Sequence, residues 1–444
     1  MSQPTATARL KAHSSARIAA PVPKALVLLL AAWLFDFQSE GAGQGIAIQA
    51  YFALAYGFAM IMLLIGDREA GMRIQGLPAL MTCGALYLLV GITSGLLNGQ
   101  DGYPILRNSV CVAIYLSAAY VTARVVVSSD PARLRQVLAV FCLLYAISAY
   151  VIFNLSAGGV DLEKVRFQIV GASAIAALGY VVLAPLFKLT KIEFLAMAVN
   201  GVIVLLSVTR SFLLVVAAQA TIFIGQVRRV FSPRLIAIGL LGIAVLLGVL
   251  TYGQQQVTRW SDRMLGGGGS DFQEYQTLNT RLSEWSFMLD SMTQSIIHFL
   301  FGAGIAARTT YYLPRELGGG TEFMIGFGHN QHLSILFTAG VVGGLPLLLL
   351  QWFHAFLGWR FLRQTIRFPS LRSDAVFLGA WGATIILGHN AVNIVASTFT
   401  TRGSSLWFGI GTGLLLGAQA LFDPANAPRK APRVPPSASR LLPS

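Results

Sequence analysis

Two histidines three residues apart, His329 and His332, stand in the segment Gly326-Phe-Gly-His-Asn-Gln-His-Leu333. Imidazole takes and gives a proton near neutral pH. Helical spacing would place both rings on one face. A His-x-x-His pair can also hold a metal, but no third ligand stands at a fixed spacing, so none is expected. Asn330 sits between the two rings and shares their candidacy as a substrate contact. Arginine supplies the second kind of chemistry, because its planar fork binds phosphate through paired hydrogen bonds. Arg210 lies among Val208, Phe212, Leu213 and Leu214. An ionised group in such company is costly and marks function by default. Arg281 and Glu284 are three apart, and Trp285 follows one turn after Arg281. They form either a surface ion pair of well under about 1 kcal/mol or a cation aimed into a cavity and oriented by the carboxylate. His389 and Asn390 lie within an apolar run, where bonds between helices are the simpler account.

The elements that must position these residues follow from composition. The chain has 444 residues, 55% hydrophobic and 11% charged. A soluble domain carries roughly 25% charged residues. Apolar runs long enough to cross lipid must be helical there, because each backbone amide has to be satisfied within its own element. Candidate spans are 24–36, 46–66, 77–97, 103–127, 134–155, 168–187, 191–208, 210–227, 234–252, 332–357, 374–398 and 403–422, about 12 in all. The expected fold is an all-α polytopic membrane protein. Its expected organisation is a cytoplasmic tail at 1–23, a bundle at 24–252, a large polar loop at 253–331, a bundle at 332–422 and a second tail at 423–444. The first apolar run follows Pro21 and Pro23 without a small-residue cleavage site, and reads as an uncleaved helix.

Charge sets the expected orientation. With the N-terminus inside, alternate connections collect about 22 of the 32 cations on the cytoplasmic side. The net charge of +14 therefore reports topology and gives no reason to expect nucleic-acid binding. The cations left outside include Arg107, Lys164, Arg166, Arg210, Arg259, Arg263, Arg281, Arg308, Arg315 and Arg402. The 253–331 loop is also outside, and long loops on rigid scaffolds carry function. Within it, Leu282, Trp285, Met288, Leu289, Met292, Ile296 and Ile297 recur at spacings of three and four. That pattern predicts an amphipathic helix, lying at the outer membrane surface or else merely packing on the bundle. Cys83, Cys111 and Cys142 fall in apolar runs and read as core residues without a disulfide framework. The chain has no P-loop, no Gly-x-Ser-x-Gly elbow and no Asp-rich metal motif, so nucleotide and metal-nucleotide chemistry are not expected.

Taken in order, these features resemble the O-antigen ligase and polymerase superfamily. The motifs carrying the resemblance are Val165-Arg166-Phe-Gln, Ser207-Val-Thr-Arg210-Ser, Arg281 with Trp285, and Gly302-Ala-Gly304. His329-Asn-Gln-His-Leu333 and Gly340-Val-Val-Gly343 complete the set. His332 stands where an aromatic is more usual, which leaves open which histidine acts, although position favours His329. The resemblance implies a metal-independent, cofactor-free glycosyltransferase of the polytopic GT-C-like type in the bacterial inner membrane, with a periplasmic site. The donor would be a glycan on undecaprenyl diphosphate. Catalysis would rest on His329, Arg210 and Arg281, with Arg166, Glu284, Trp285, Asn330 and His332 contacting substrate. Ligation to lipid A–core is the preferred reaction. Glycan polymerisation and protein O-oligosaccharide transfer are the alternatives, and a secondary transporter or flippase is the competing class.

Overall fold

The computed structural model describes residues 23–32, 34, a few positions between 54 and 61, 73–156, 173–207, 211–224, 271–312, 322–326 and 328–423. The helices before the large loop are α1 (Lys24–Ala32), α2 (Leu77–Leu97), α3 (Gly102–Ser128), α4 (Pro131–Ser156), α5 (Ala174–Leu183), α6 (Lys191–Ser207) and α7 (Ser211–Ala220). The loop contains α8 (Asp271–Thr293), α9 (Ile296–Phe301) and the strands β1 (Arg308–Tyr312) and β2 (Glu322–Gly326). After it come α10 (Gln331–Ala339), a π-helical turn (Gly340–Gly344), α11 (Leu345–Arg367), α12 (Asp374–Val392) and α13 (Arg402–Phe422).

Among the described residues, six helical segments are long and apolar enough to cross a membrane. They are α2, α3, the first 21 residues of α4, the continuous run from α10 through α11, α12 and α13. The expected spans at 24–36, 168–187, 191–208 and 210–227 fall on shorter helices. The one at 234–252 lies outside the described residues, as does most of 46–66. Cys83, Cys111 and Cys142 lie in the bundle and form no disulfide.

Small residues let the spanning helices touch. Gly409, Gly413 and Gly417 recur every fourth residue on α13, and a Cβ on Gly413 would stand 2.5 Å from the Ala119 carbonyl oxygen of α3. Backbone therefore meets backbone along this seam, the small-xxx-small mode of lipid-embedded helices. Gly411 presents the same helix to Ile385 of α12. Between the seams pack Trp381, Trp407, Tyr115, Phe399 and Phe408, all buried. The Trp381 indole N–H donates to the Ala176 carbonyl at 2.8 Å and so ties α12 to α5.

An ionic clamp closes one end of the bundle. Arg135, near the start of α4, donates to both carboxylate oxygens of Glu193 on α6. Its guanidinium also reaches Asp374 on α12 at 2.8 Å and the Lys188 carbonyl at 2.8 Å, and its face lies 3.6 Å from the Phe377 ring centroid. A buried cation survives only with such complete pairing. The contact also shows that α4, α6 and α12 start at a common end. The start of α10 lies at the opposite end, where α2 and α12 finish.

The polar loop is tied to the bundle by its backbone. Gly302 and Gly304 have φ of 74° and 107°, conformations that suit glycine. Ala303 and Gly304 N–H groups donate to Phe337 and Thr338 of α10, and the Ile305 N–H donates to Gly91 of α2. Gln100 returns to the segment, donating to the Ala303 carbonyl at 2.7 Å and accepting from the Ala306 N–H at 3.0 Å. A Cβ on Gly302 would stand 2.5 Å from the Ala339 nitrogen, so the segment is wedged against α10.

Two loop features were not anticipated. The apolar stripe from Leu282 to Ile297 is split between two helices, because Ser295 is extended and accepts from the His298 N–H at 3.1 Å, starting α9 afresh. Met288 and Met292 of that stripe are buried, whereas Leu282, Leu289, Ile296 and Ile297 are exposed. The loop also contains an antiparallel β1–β2 ribbon, with Arg308 opposite Gly326, which an all-helical expectation does not include. Replacing Gly413 with leucine pushes four side-chain carbons into the α3 backbone. A loss of about 1–3 kcal/mol is expected from such overpacking, read as a lowered thermal midpoint in detergent. An unchanged midpoint would show that the seam is loose.

Candidate active site

Glu284 is the centre of the site. It lies on the buried face of α8, with no solvent exposure. Three donors from two other segments meet its carboxylate. The Thr309 hydroxyl on β1 donates to Oε1 at 3.1 Å. The backbone N–H of His329 donates to the same oxygen at 2.8 Å. The His329 ring nitrogen Nδ1 stands 3.0 Å from Oε2. Burial pushes the Glu284 carboxyl up to about 7, while the Thr309 hydrogen bond and the Arg281 charge pull the other way.

An ionised Glu284 makes Nδ1 the protonated nitrogen of His329, since a carboxylate can only accept. The lone pair is then on Nε2, and the ring is 39% exposed. The imidazole is thus held at one nitrogen and available at the other, the arrangement of an oriented general base. Gly328 makes the approach possible. A Cβ there would meet Glu284 Oε1 at 2.8 Å, the Ser334 hydroxyl at 3.0 Å and the Met288 sulfur at 3.1 Å. Local sequence explains the rest. Asn330 is extended, and its side chain accepts from the Leu333 N–H at 3.0 Å, capping α10. His329 therefore stands immediately before the capping residue, outside the helix, where its backbone N–H is directed to Glu284.

The other predicted residues separate into three groups. Arg281 and Trp285 stand beside the pair. The Arg281 guanidinium is 4.0 Å from Glu284 Oε2. Trp285 packs on Met288, Met292, Ala307 and Phe337. Its buried indole N–H meets no acceptor among the described residues. Glu284, expected to orient Arg281, makes its shorter contacts with His329. The second group points elsewhere. His332 Nε2 stands 3.2 Å from the Asn390 carbonyl of α12, with its ring against Trp352. His332 and His329 thus address different partners. His389 lies inside the bundle, bonded to Thr398 at 3.1 Å and stacked on Phe408, which is the interhelical role expected for it. Arg210 and Arg166 form the third group and lie outside the described residues.

Sequence reasoning missed Thr309 and Gly328. Thr309 is 25 residues from Glu284. Its only trace is the short Arg308-Thr-Thr-Tyr-Tyr312 run of strand formers. Among the described residues, no group of three or more His, Cys, Asp or Glu side chains is placed to hold a metal ion.

Residues 195–348 match the family model described as O-Antigen ligase. Over these residues the chain is similar to the O-antigen ligase and polymerase superfamily, which the match supports. The matched stretch contains Arg210, Arg281, Glu284 and His329, and leaves out Arg166 and His389. No curated protein matches the chain. The superfamily domain thus brackets the whole Glu284–His329 pair, including β1 and the Gly302–Gly304 wedge.

The pair predicts a pH dependence. Glu284 is ionised only as pH rises through about 7, and only then does it hold Nδ1–H and leave Nε2 basic. Transfer should therefore rise with pH across that region. Glu284→Gln should lower the rate and remove this limb while leaving donor KM nearly unchanged. A pH–rate profile of the two proteins decides it, and an identical limb in the variant would dismiss Glu284 as its source.

Proposed function

We propose that this protein is a lipopolysaccharide O-antigen ligase, moving a glycan from undecaprenyl diphosphate to lipid A–core on the periplasmic face of the inner membrane. The reading is carried by one observation. A buried carboxylate receives both the backbone N–H and the ring nitrogen Nδ1 of His329, whose side chain is 39% exposed. In the reaction, Nε2 takes the proton of the acceptor sugar hydroxyl. The freed oxygen attacks the anomeric carbon from the face opposite the leaving group. The bond from that carbon to the pyrophosphate oxygen breaks, its electron pair stays with undecaprenyl diphosphate, and the configuration inverts.

The leaving pyrophosphate needs positive charge where its own charge grows. Arg281 is 4.0 Å from Glu284, close enough to serve both the carboxylate and an incoming phosphate. Arg210 and Arg166 supply the remaining cations in this reading. Preorganised donors in a site sheltered from water are effective at such stabilisation. Trp285 and Asn330 border the substrate, Asn330 mainly by fixing the start of α10. His332 has its Nε2 engaged by Asn390, which favours His329 as the base.

Purified protein, donor and lipid A–core test the assignment. His329→Ala should lose about 10²–10⁴ in rate, as expected for a removed general base. Arg210→Ala and Arg281→Ala should each lose about 10²–10³, as for a removed electrostatic stabiliser. Full activity in the His329 or Arg210 variant would sink the corresponding role. Transfer should persist in chelator. Abolition by chelator with rescue by added metal would overturn the metal-free scheme. Offering lipid A–core, a second carrier-linked repeat and protein as competing acceptors separates ligase from polymerase and protein transferase.

A further inference from the structure

The short helix α9 carries an apolar surface left exposed among the described residues. Ile296, Ile297, Phe299 and Phe301 are 69%, 64%, 42% and 42% exposed. Four large apolar side chains among six residues would be a poor surface for water. Their position explains them. The Ser94 hydroxyl of α2 donates to the Phe301 carbonyl at 2.9 Å, and Asn98, just past α2, donates to the Ala303 carbonyl at 2.9 Å. The end of α9 therefore lies beside the last turn of a helix long and apolar enough to span the bilayer. That turn itself exposes Leu96 and Leu97, at 61% and 82%. On the adjoining start of α3, Tyr103, Leu106 and Arg107 are exposed as well. An apolar body with Tyr and Arg at its margin is the composition of a membrane–water boundary.

We propose that α9 is an interfacial foot, with Ile296, Ile297, Phe299 and Phe301 seated between the headgroups and the acyl chains of the bilayer. Exposed apolar side chains stand both on the end of α2 and on α9, and the hydrogen bonds from Ser94 and Asn98 hold the two side by side. This differs from an amphipathic helix lying along the surface over 282–297. Ser295 splits the stripe, α8 turns Met288 and Met292 inward, and the lipid contact belongs to α9. The foot leads directly into Gly302–Gly304, the wedge against α10, so the loop carrying Glu284 and Thr309 is held at a set depth relative to His329. The proposal rests on the membrane-spanning character of α2 and is independent of the transfer chemistry.

The test uses the full chain in nanodiscs containing one copy each. Trifluoromethyl-phenylalanine is placed at position 297, 299 or 290 in separate preparations; Asp290 is the exposed reference on α8. Fluorine relaxation is measured with dissolved oxygen, which concentrates in hydrocarbon, and with a nickel chelate, which stays in water. The oxygen-to-nickel ratio at 297 and 299 should exceed that at 290 severalfold. Equal ratios at all three positions would place α9 in water and overturn the proposal. Shielding of 297 and 299 from both agents would mean that protein covers this face, and would overturn it equally. Because the readout is relaxation, it stands or falls without regard to whether the protein is a ligase.

Discussion

A carboxylate removed from water must be answered by donors, or it costs several kcal/mol and gives up its charge. Glu284 is completely buried, and its donors come from β1 and from His329, just before the cap of α10. The rest of the loop can be understood as the means of delivering them. The wedge at Gly302–Gly304 fixes where β1 begins. Asn330 fixes where α10 begins, and with it the free N–H and ring of His329. Gly328 keeps the intervening space empty of a side chain. Remove any of these and Glu284 is left buried with unmet oxygens.

The bundle satisfies the same rule by other means. Spanning helices have little hydrophobic reason to associate in lipid, so contact depends on close approach and on polar ties. The α13–α3 seam provides the approach through Gly409, Gly413 and Gly417. Arg135, Trp381 and Tyr145 provide the ties, the last by donating to the Leu30 carbonyl of α1 at 2.9 Å. The ionic clamp lies where α12 starts and the Glu284 pair near where it finishes, with aromatic and small residues packed between the described helices.

Helical membrane character was legible because it depends on composition summed over long windows. The six long apolar helices coincide with expected spans for that reason. The candidacy of His329 was legible too, since a titratable pair where a polar loop meets an apolar helix stands out against its surroundings. The partner of His329 was not. Glu284 lies 45 residues earlier, and its spacing to Arg281 advertised a local pair. Spacing on one helix reports neighbours on that helix alone, whereas the closer contact here crosses between segments. The ribbon escaped notice for a related reason: five-residue strands carry little periodic signal, and their pairing is set by contacts far apart in sequence. The split of the apolar stripe at Ser295 was written in a cap residue that the three-and-four spacing passes over.

The three donors on Glu284 have a developmental meaning. α8, β1 and the segment leading into α10 emerge from the ribosome in that order, so the Thr309 bond to Glu284 has its partners before the two His329 bonds do. A newly inserted chain can hold its early helices in place while Glu284 still lacks the histidine it is to orient. Maturation of the site is then a separate event from entry into the membrane, and the last piece of backbone to arrive completes the pair.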